Sequence, residues 1–161
     1  MIICLTGCIK NIDNSNFIGK KGNTDIINNK GKKIGNAILT QGNKGVLIEI
    51  QVSKLSPGKH GMHFHEVGSC ADHSHFKLAK GHIMPLNKPH GYFNVEGPHA
   101  GNLPNLIVSQ DGKAHVELYT ELVKIYPSKS NIPALLDEDG STLMVHVNED
   151  DHISQPIGGS G

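Results

Sequence analysis

From Ile34 onward the chain alternates between apolar and polar positions with a period of two. IGNAILTQ alternates, GNKG offers a turn, and VLIEIQVSKL alternates again, which predicts a hairpin. Pro57-Gly58 breaks the pattern, and HGMHFHEVG predicts another short strand. Residues 106–108 and 114–119 flank SQDGK, whose Asp111-Gly112 predicts a second hairpin, and STLMVHVN reads as a strand. Between these segments lie two stretches without a period. Residues 68–105 are rich in glycine, proline and histidine, and a stretch this long without regular structure is usually functional. Residues 122–139 form a second loop region in which a short helical turn is expected. The tail DDHISQPIGGSG reads as loop. Residues 9–33 are Asn-, Lys- and Gly-rich and read as a polar tether that donates one weak first strand near 24–28. No internal repeat is present. The pattern predicts an all-β chain with two long loops.

Composition sharpens this picture. The length of 161 residues fits one domain. Nineteen glycines, eight prolines, four phenylalanines, three tyrosines and no tryptophan suit many short strands joined by turns. Lys+Arg and Asp+Glu are both 15, so no global field attracts nucleic acid, and none is expected as a partner. No stretch approaches the ~20 apolar residues of a membrane-spanning helix. The amino-terminal residues 1–8, MIICLTGC, are apolar apart from Thr6 and the two cysteines. Leu5-Thr6-Gly7-Cys8 resembles the lipobox of bacterial lipoproteins, which makes 1–8 a candidate signal remnant and Cys8 a candidate lipidation site. The apolar part is shorter than the ~7–15 residues of a signal core and has no basic start. A misplaced start codon is the companion assumption, and a chance apolar end is the alternative.

The 11 histidines change the picture most, because imidazole is the commonest metal ligand and the usual acid/base group near neutral pH. They are scattered over residues 60–152, unlike an affinity tag. On a strand, residues two apart share a face, so His63 and His65 project together while Phe64 points away. His73 and His75 have the same spacing but sit in the loop, where no strand aligns them; they read as solvent-exposed. His82 in KGHIMP, His90 in KPHGYFN, His99 in GPHAGNLPN and His146 in LMVHVNEDD each lie beside a glycine or proline or on a predicted strand. Six candidate nitrogen ligands exceed one tetrahedral site, and the economical reading is two metal ions. Asp150, four residues after His146, could orient ligands through hydrogen bonds.

HGMHFHEVGSC, GHIMP, PHGYFN, HAGNLPN, LMVHVNEDD and PIGGSG, in this order and at these separations, resemble the copper/zinc superoxide dismutases, particularly the bacterial periplasmic type, over residues 34–161. The resemblance implies a flattened Greek-key β-barrel, an immunoglobulin-like sandwich in architecture. It implies that His63, His65 and His146 bind copper, that His82 bridges copper and zinc, and that His90 and His99 bind zinc. Asp150 would hydrogen-bond one histidine of each metal, and Cys70 would be the loop half-cystine. The activity implied is dismutation of superoxide to dioxygen and hydrogen peroxide, an antioxidant role in the periplasm or cell envelope, lipid-anchored to the membrane if Cys8 is processed. The resemblance also leaves room for a homodimer.

Two departures stand against the pattern. Asn102 occupies the position of the family's zinc-binding aspartate, and a neutral amide oxygen is the weaker ligand. The chain stops after GGSG, where the family continues into a final strand carrying an arginine and the second half-cystine. The sequence contains no arginine, so the final strand is expected to be missing, the barrel edge unpaired and Cys70 without a family-type partner. The alternative function is therefore a catalytically impaired domain of the same fold that binds or buffers copper.

Overall fold

The computed structural model describes the backbone of residues 2–5 and the whole of residues 17–128 and 130–161. Eight strands account for its regular structure: β1 Ile2–Leu5, β2 Lys21–Ile27, β3 Lys33–Gln41, β4 Val46–Val52, β5 Gly58–His65, β6 Asn102–Val108, β7 Ala114–Thr120 and β8 Ser141–Val145. Every ladder is antiparallel, and the hydrogen-bonded order is β6-β5-β8-β1-β2-β3-β4-β7. This is the sandwich expected from the alternating pattern. No ladder joins β6 to β7 among the described residues, so hydrogen bonds do not close a barrel.

Alternation explains the core. On β4, Val46, Ile48, Ile50 and Val52 face inward, and on β3 Ala37, Leu39 and Gln41 do. The period slips at Ile34, where a bulge against β2 shifts the register between Ile26 and Ile27 and an extra residue is accommodated. The apolar residues among these meet Phe64, Met62, Leu103, Leu106, Leu143 and Val145 from the opposite layer in one cluster. The turn expected at 109–113 forms, through Gly112 at φ +76° with the Ser109 N–H donating to Lys113 O, but the expected hairpin does not, because β6 pairs with β5 and β7 pairs with β4 instead of with each other.

Three further features differ from the sequence reading. The 3-10 turn lies at Lys77–Ala79, in the first long loop; none occurs among the described residues of 122–139, where Lys124 and Leu135 instead bond through their backbones. The weak first strand is longer than its composition suggested, because β3 supplies a full ladder for Lys21–Ile27. Most consequentially, β8 is not an edge. Its second side pairs with Ile2–Leu5, a segment read from the sequence as a signal remnant. Cys8 lies outside the described residues.

The strands sort into two groups. β6, β5 and β8 carry Asn102, His63 and His65, and lead directly into His146. β2, β3, β4 and β7 carry none of the candidate ligands. In the hydrogen-bonded order the two groups are joined through β1.

Candidate metal centre

His63 and His65 point to the face of β5 opposite Phe64, which is fully buried in the core. His146 follows β8, and its N–H donates to Gly61 O at 2.8 Å, locking it beside β5. His82 is brought to the same face because the first long loop doubles back along β5. His82 forms a bridge with His65, Ile83 N–H donates to Phe64 O at 3.0 Å, and Phe64 N–H donates to Gly101 O at 2.8 Å. The same folding-back places His90 and His99 on the far side of His82. All six rings are buried. The ring centroids of His63 and His82 are 4.0 Å apart, and those of His82 and His99 are 5.3 Å apart.

The hydrogen bonds assign each ring its proton. His65 Nδ1–H donates to Lys80 O and His146 Nδ1–H to Gly161 O, both at 2.7 Å. His63 Nε2–H donates to Asp150 Oδ2 at 2.7 Å, and His90 Nε2–H to Asp150 Oδ1 at 2.9 Å. Carbonyls and carboxylates only accept, so each of these rings keeps its other nitrogen as a lone-pair donor. Those other nitrogens, His63 Nδ1, His65 Nε2, His146 Nε2 and His90 Nδ1, together with His82 Nε2, are buried and have no hydrogen-bond partner among the described residues. A buried polar atom without a partner is costly, so the four that converge from His63, His65, His82 and His146 call for a cation. The donor atoms fall into one set from His63, His65, His82 and His146 and another from His82, His90 and His99, each set lying within 4.8 Å. His82 belongs to both. Its Nε2 faces the first set, and its Nδ1 lies 3.1 Å from His99 Nδ1 in the second.

Electrostatics reinforces this arrangement. Burial pushes His63, His65 and His146 down to about 4, so all three are neutral ligands at neutral pH. Burial, aided by the neighbouring His63 and His65, holds His82 well below the usual imidazole range. Burial and the neighbouring His90 lower His99. Asp150 is almost completely buried. Burial opposes its ionisation, but hydrogen bonds from His63, His90 and the His152 N–H outweigh this and keep its carboxyl well below the usual carboxylate range. Among the described residues it is the one carboxylate that touches both sets. Gly158, at φ +63°, makes room for it: a Cβ there would collide with Asp150 Oδ1.

Residues that the sequence reading left without a role hold these groups in place. Asn105 clasps the Asp150 backbone, accepting from its N–H at 2.9 Å and donating to its O at 2.8 Å. Gln155 does the same for His90, at 2.8 and 3.0 Å. His60 ties β5 to β8 through Nδ1 and His146 O, 2.8 Å apart. Asn and Gln in glycine-rich loops carry no periodic signal, and only their partners reveal them. Asn102, the first residue of β6, is completely buried, and neither its Oδ1 nor its Nδ2 has a protein partner. His73 and His75 are exposed, as expected. Cys70 is partly buried and in no disulfide among the described residues.

Two sets of imidazole nitrogens sharing one histidine, mounted on a β-sandwich, define a protein with a dinuclear histidine metal centre. The chain belongs to the copper/zinc superoxide dismutase (SODC) family, which it matches over residues 33–161. It is 43% identical over 142 residues to "Superoxide dismutase [Cu-Zn] 1" of Aquifex aeolicus, covering 88% of this chain and 82% of that protein. It is 42% identical over 132 residues to "Superoxide dismutase [Cu-Zn]" of Caulobacter vibrioides, covering 81% and 75% respectively. Among solved structures, a SOD-like protein from Bacillus subtilis superposes with a TM-score of 0.81 at 37% identity, over 88% of this chain and 93% of that one.

Proposed function

We propose that the chain is a superoxide dismutase. His63, His65, His82 and His146 would hold copper, and His82, His90 and His99 would hold zinc, with Asn102 Oδ1 as a weak fourth ligand. The observation that carries this reading is the convergence of buried ring nitrogens without a described partner in the first set, next to a second set from His82, His90 and His99 that shares His82. When bound, copper supplies one-electron cycling between its two oxidation states, so that one superoxide leaves as dioxygen and a second, with two protons, leaves as hydrogen peroxide.

The chain's own groups prepare that chemistry. Their low proton affinity keeps the ligand lone pairs available at neutral pH. Bonds from the far-side N–H groups to Lys80 O, Gly161 O and Asp150 fix the ring orientations before any metal arrives. His82 Nε2 is the position in the first set where a proton could be held and handed on, because the other nitrogen of that ring stays in the second set.

Replacing His146 by alanine tests the assignment. Copper should fall below one equivalent per chain and dismutase activity should vanish; full copper stoichiometry in that variant would refute it. A second reading, a copper-buffering domain with little turnover, is favoured by Asn102, which leaves the zinc set without an anionic ligand. Turnover per bound copper in the unaltered chain separates the two.

A further inference from the structure

We propose that Ile2–Leu5 is a positioning strand for the metal centre: it holds the second edge of β8 and thereby fixes the backbone that presents His146. The inference rests on His146 being a copper ligand, as proposed above.

The observations are topological. β8 is five residues long and lies between two neighbours. On one side, Thr142–Val145 pair with Met62–His65 of β5, the strand that carries His63 and His65. On the other, Ser141–Met144 pair with Leu5, Cys4, Ile3 and Ile2. β1 also pairs with β2, Ile2 opposite Ile27 and Ile3 opposite Ile26. Without β1, the hydrogen-bonded order would divide into β6-β5-β8, which leads to every strand-borne ligand, and β2-β3-β4-β7, which bears none. β8 would then be an edge strand, held in register from one side only, and His146 begins where β8 ends. Edge strands are the less protected and more slippage-prone members of a sheet.

The same segment runs into the lipobox-like Leu5-Thr6-Gly7-Cys8, with which it shares Leu5. Cleavage before Cys8 would remove β1, so one molecule cannot use the segment both as a discarded leader and as the partner of β8.

The test uses the full chain. Consecutive strand residues point their N–H groups toward opposite neighbours, so the double variant Ile3→Pro/Cys4→Pro removes a donor on each side of β1; Ile3→Val/Cys4→Val keeps both. Amide exchange of Leu143, Met144 and Val145 should accelerate at least ~10-fold in the proline variant, about what one lost ladder bond implies. The copper(II) electron paramagnetic resonance spectrum should change, and exchange at Ile48 and Ile50 of β4 should not. The valine variant should match the parent on all three readouts. Unchanged exchange in β8 would overturn the proposal. So would faster exchange with an unaltered copper spectrum, loss of protection throughout β4, or an intact mass showing that the purified protein starts at Cys8. Loss of copper in His146→Ala is independent of these outcomes and tests the ligand assignment alone.

Discussion

The two strand groups obey the same pairing rules and bury their inner faces in the same cluster, yet their outer faces differ in kind. On β3 and β4 the outward positions are ordinary half-exposed residues such as Ile38, Thr40 and Glu49. On β5 the outward positions His63 and His65 are buried as deeply as the core, because the loops of residues 66–101 and 146–161 lie over them. One group therefore has a single, apolar interior. The other adds a second, polar interior whose atoms are matched to cations rather than to each other. Stability and function are thus assigned to different residues within one small domain.

Substitutions in each group should break different properties. The largest contrast is His63→Ala against Ile48→Ala. The first should abolish stoichiometric copper, measured by atomic absorption. The second should leave copper stoichiometry unchanged and cost ~2–5 kcal/mol in denaturant titration, as expected for truncating a fully buried isoleucine.

Asp150→Asn should come next. It replaces the carboxylate that accepts from His63 and His90, and about a 10–100-fold loss of metal affinity is expected in competition with a chelator. Asn102→Asp should act in the opposite direction, tightening zinc by roughly 10-fold by restoring an anionic ligand in that set; equal zinc affinity in both forms would remove Asn102 from the site.

A separate effect is a pH dependence of the metal-free chain. His63, His65 and His146 have folded values of about 4, below the ordinary imidazole value of about 6.5. Between these values the unfolded chain binds protons that the folded chain refuses. Stability should therefore be complete above pH ~6.5 and decline as the pH falls toward about 4. A melting temperature independent of pH across that window would contradict the buried neutral state of these rings.

Much of this was legible in the sequence because it depends on local periods. Alternation located β3, β4, β5, β7 and β8, and the same period of two placed His63 and His65 on one face. The spacing and surroundings of His82, His90, His99 and His146 marked them as candidate ligands, and the structure groups all six candidate histidines into two sets. What was not legible depends on partners far away in the chain. Asn105 and Gln155 matter only through the Asp150 and His90 backbones, and His60 only through His146 O. The strand at Ile2–Leu5 was missed because a short apolar run has no period of its own; its pairing with β8, about 140 residues away, makes it a strand.

The far-side hydrogen bonds of the ligands bear on motion as well as on affinity. His65 grips Lys80 O and His146 grips Gly161 O, so each ring ties its own strand to a distant point on a covering loop. A metal ion that joins residues 63, 65, 82 and 146 would then cross-link four separated points of the backbone, much as a disulfide joins two. Chelation should lower the entropy of the segments it closes, and release of the ion should return that entropy to the loops. The ions would act as topological fasteners, and loop mobility, followed by amide exchange across residues 66–101 and 146–161, would report metal occupancy with no assay of turnover.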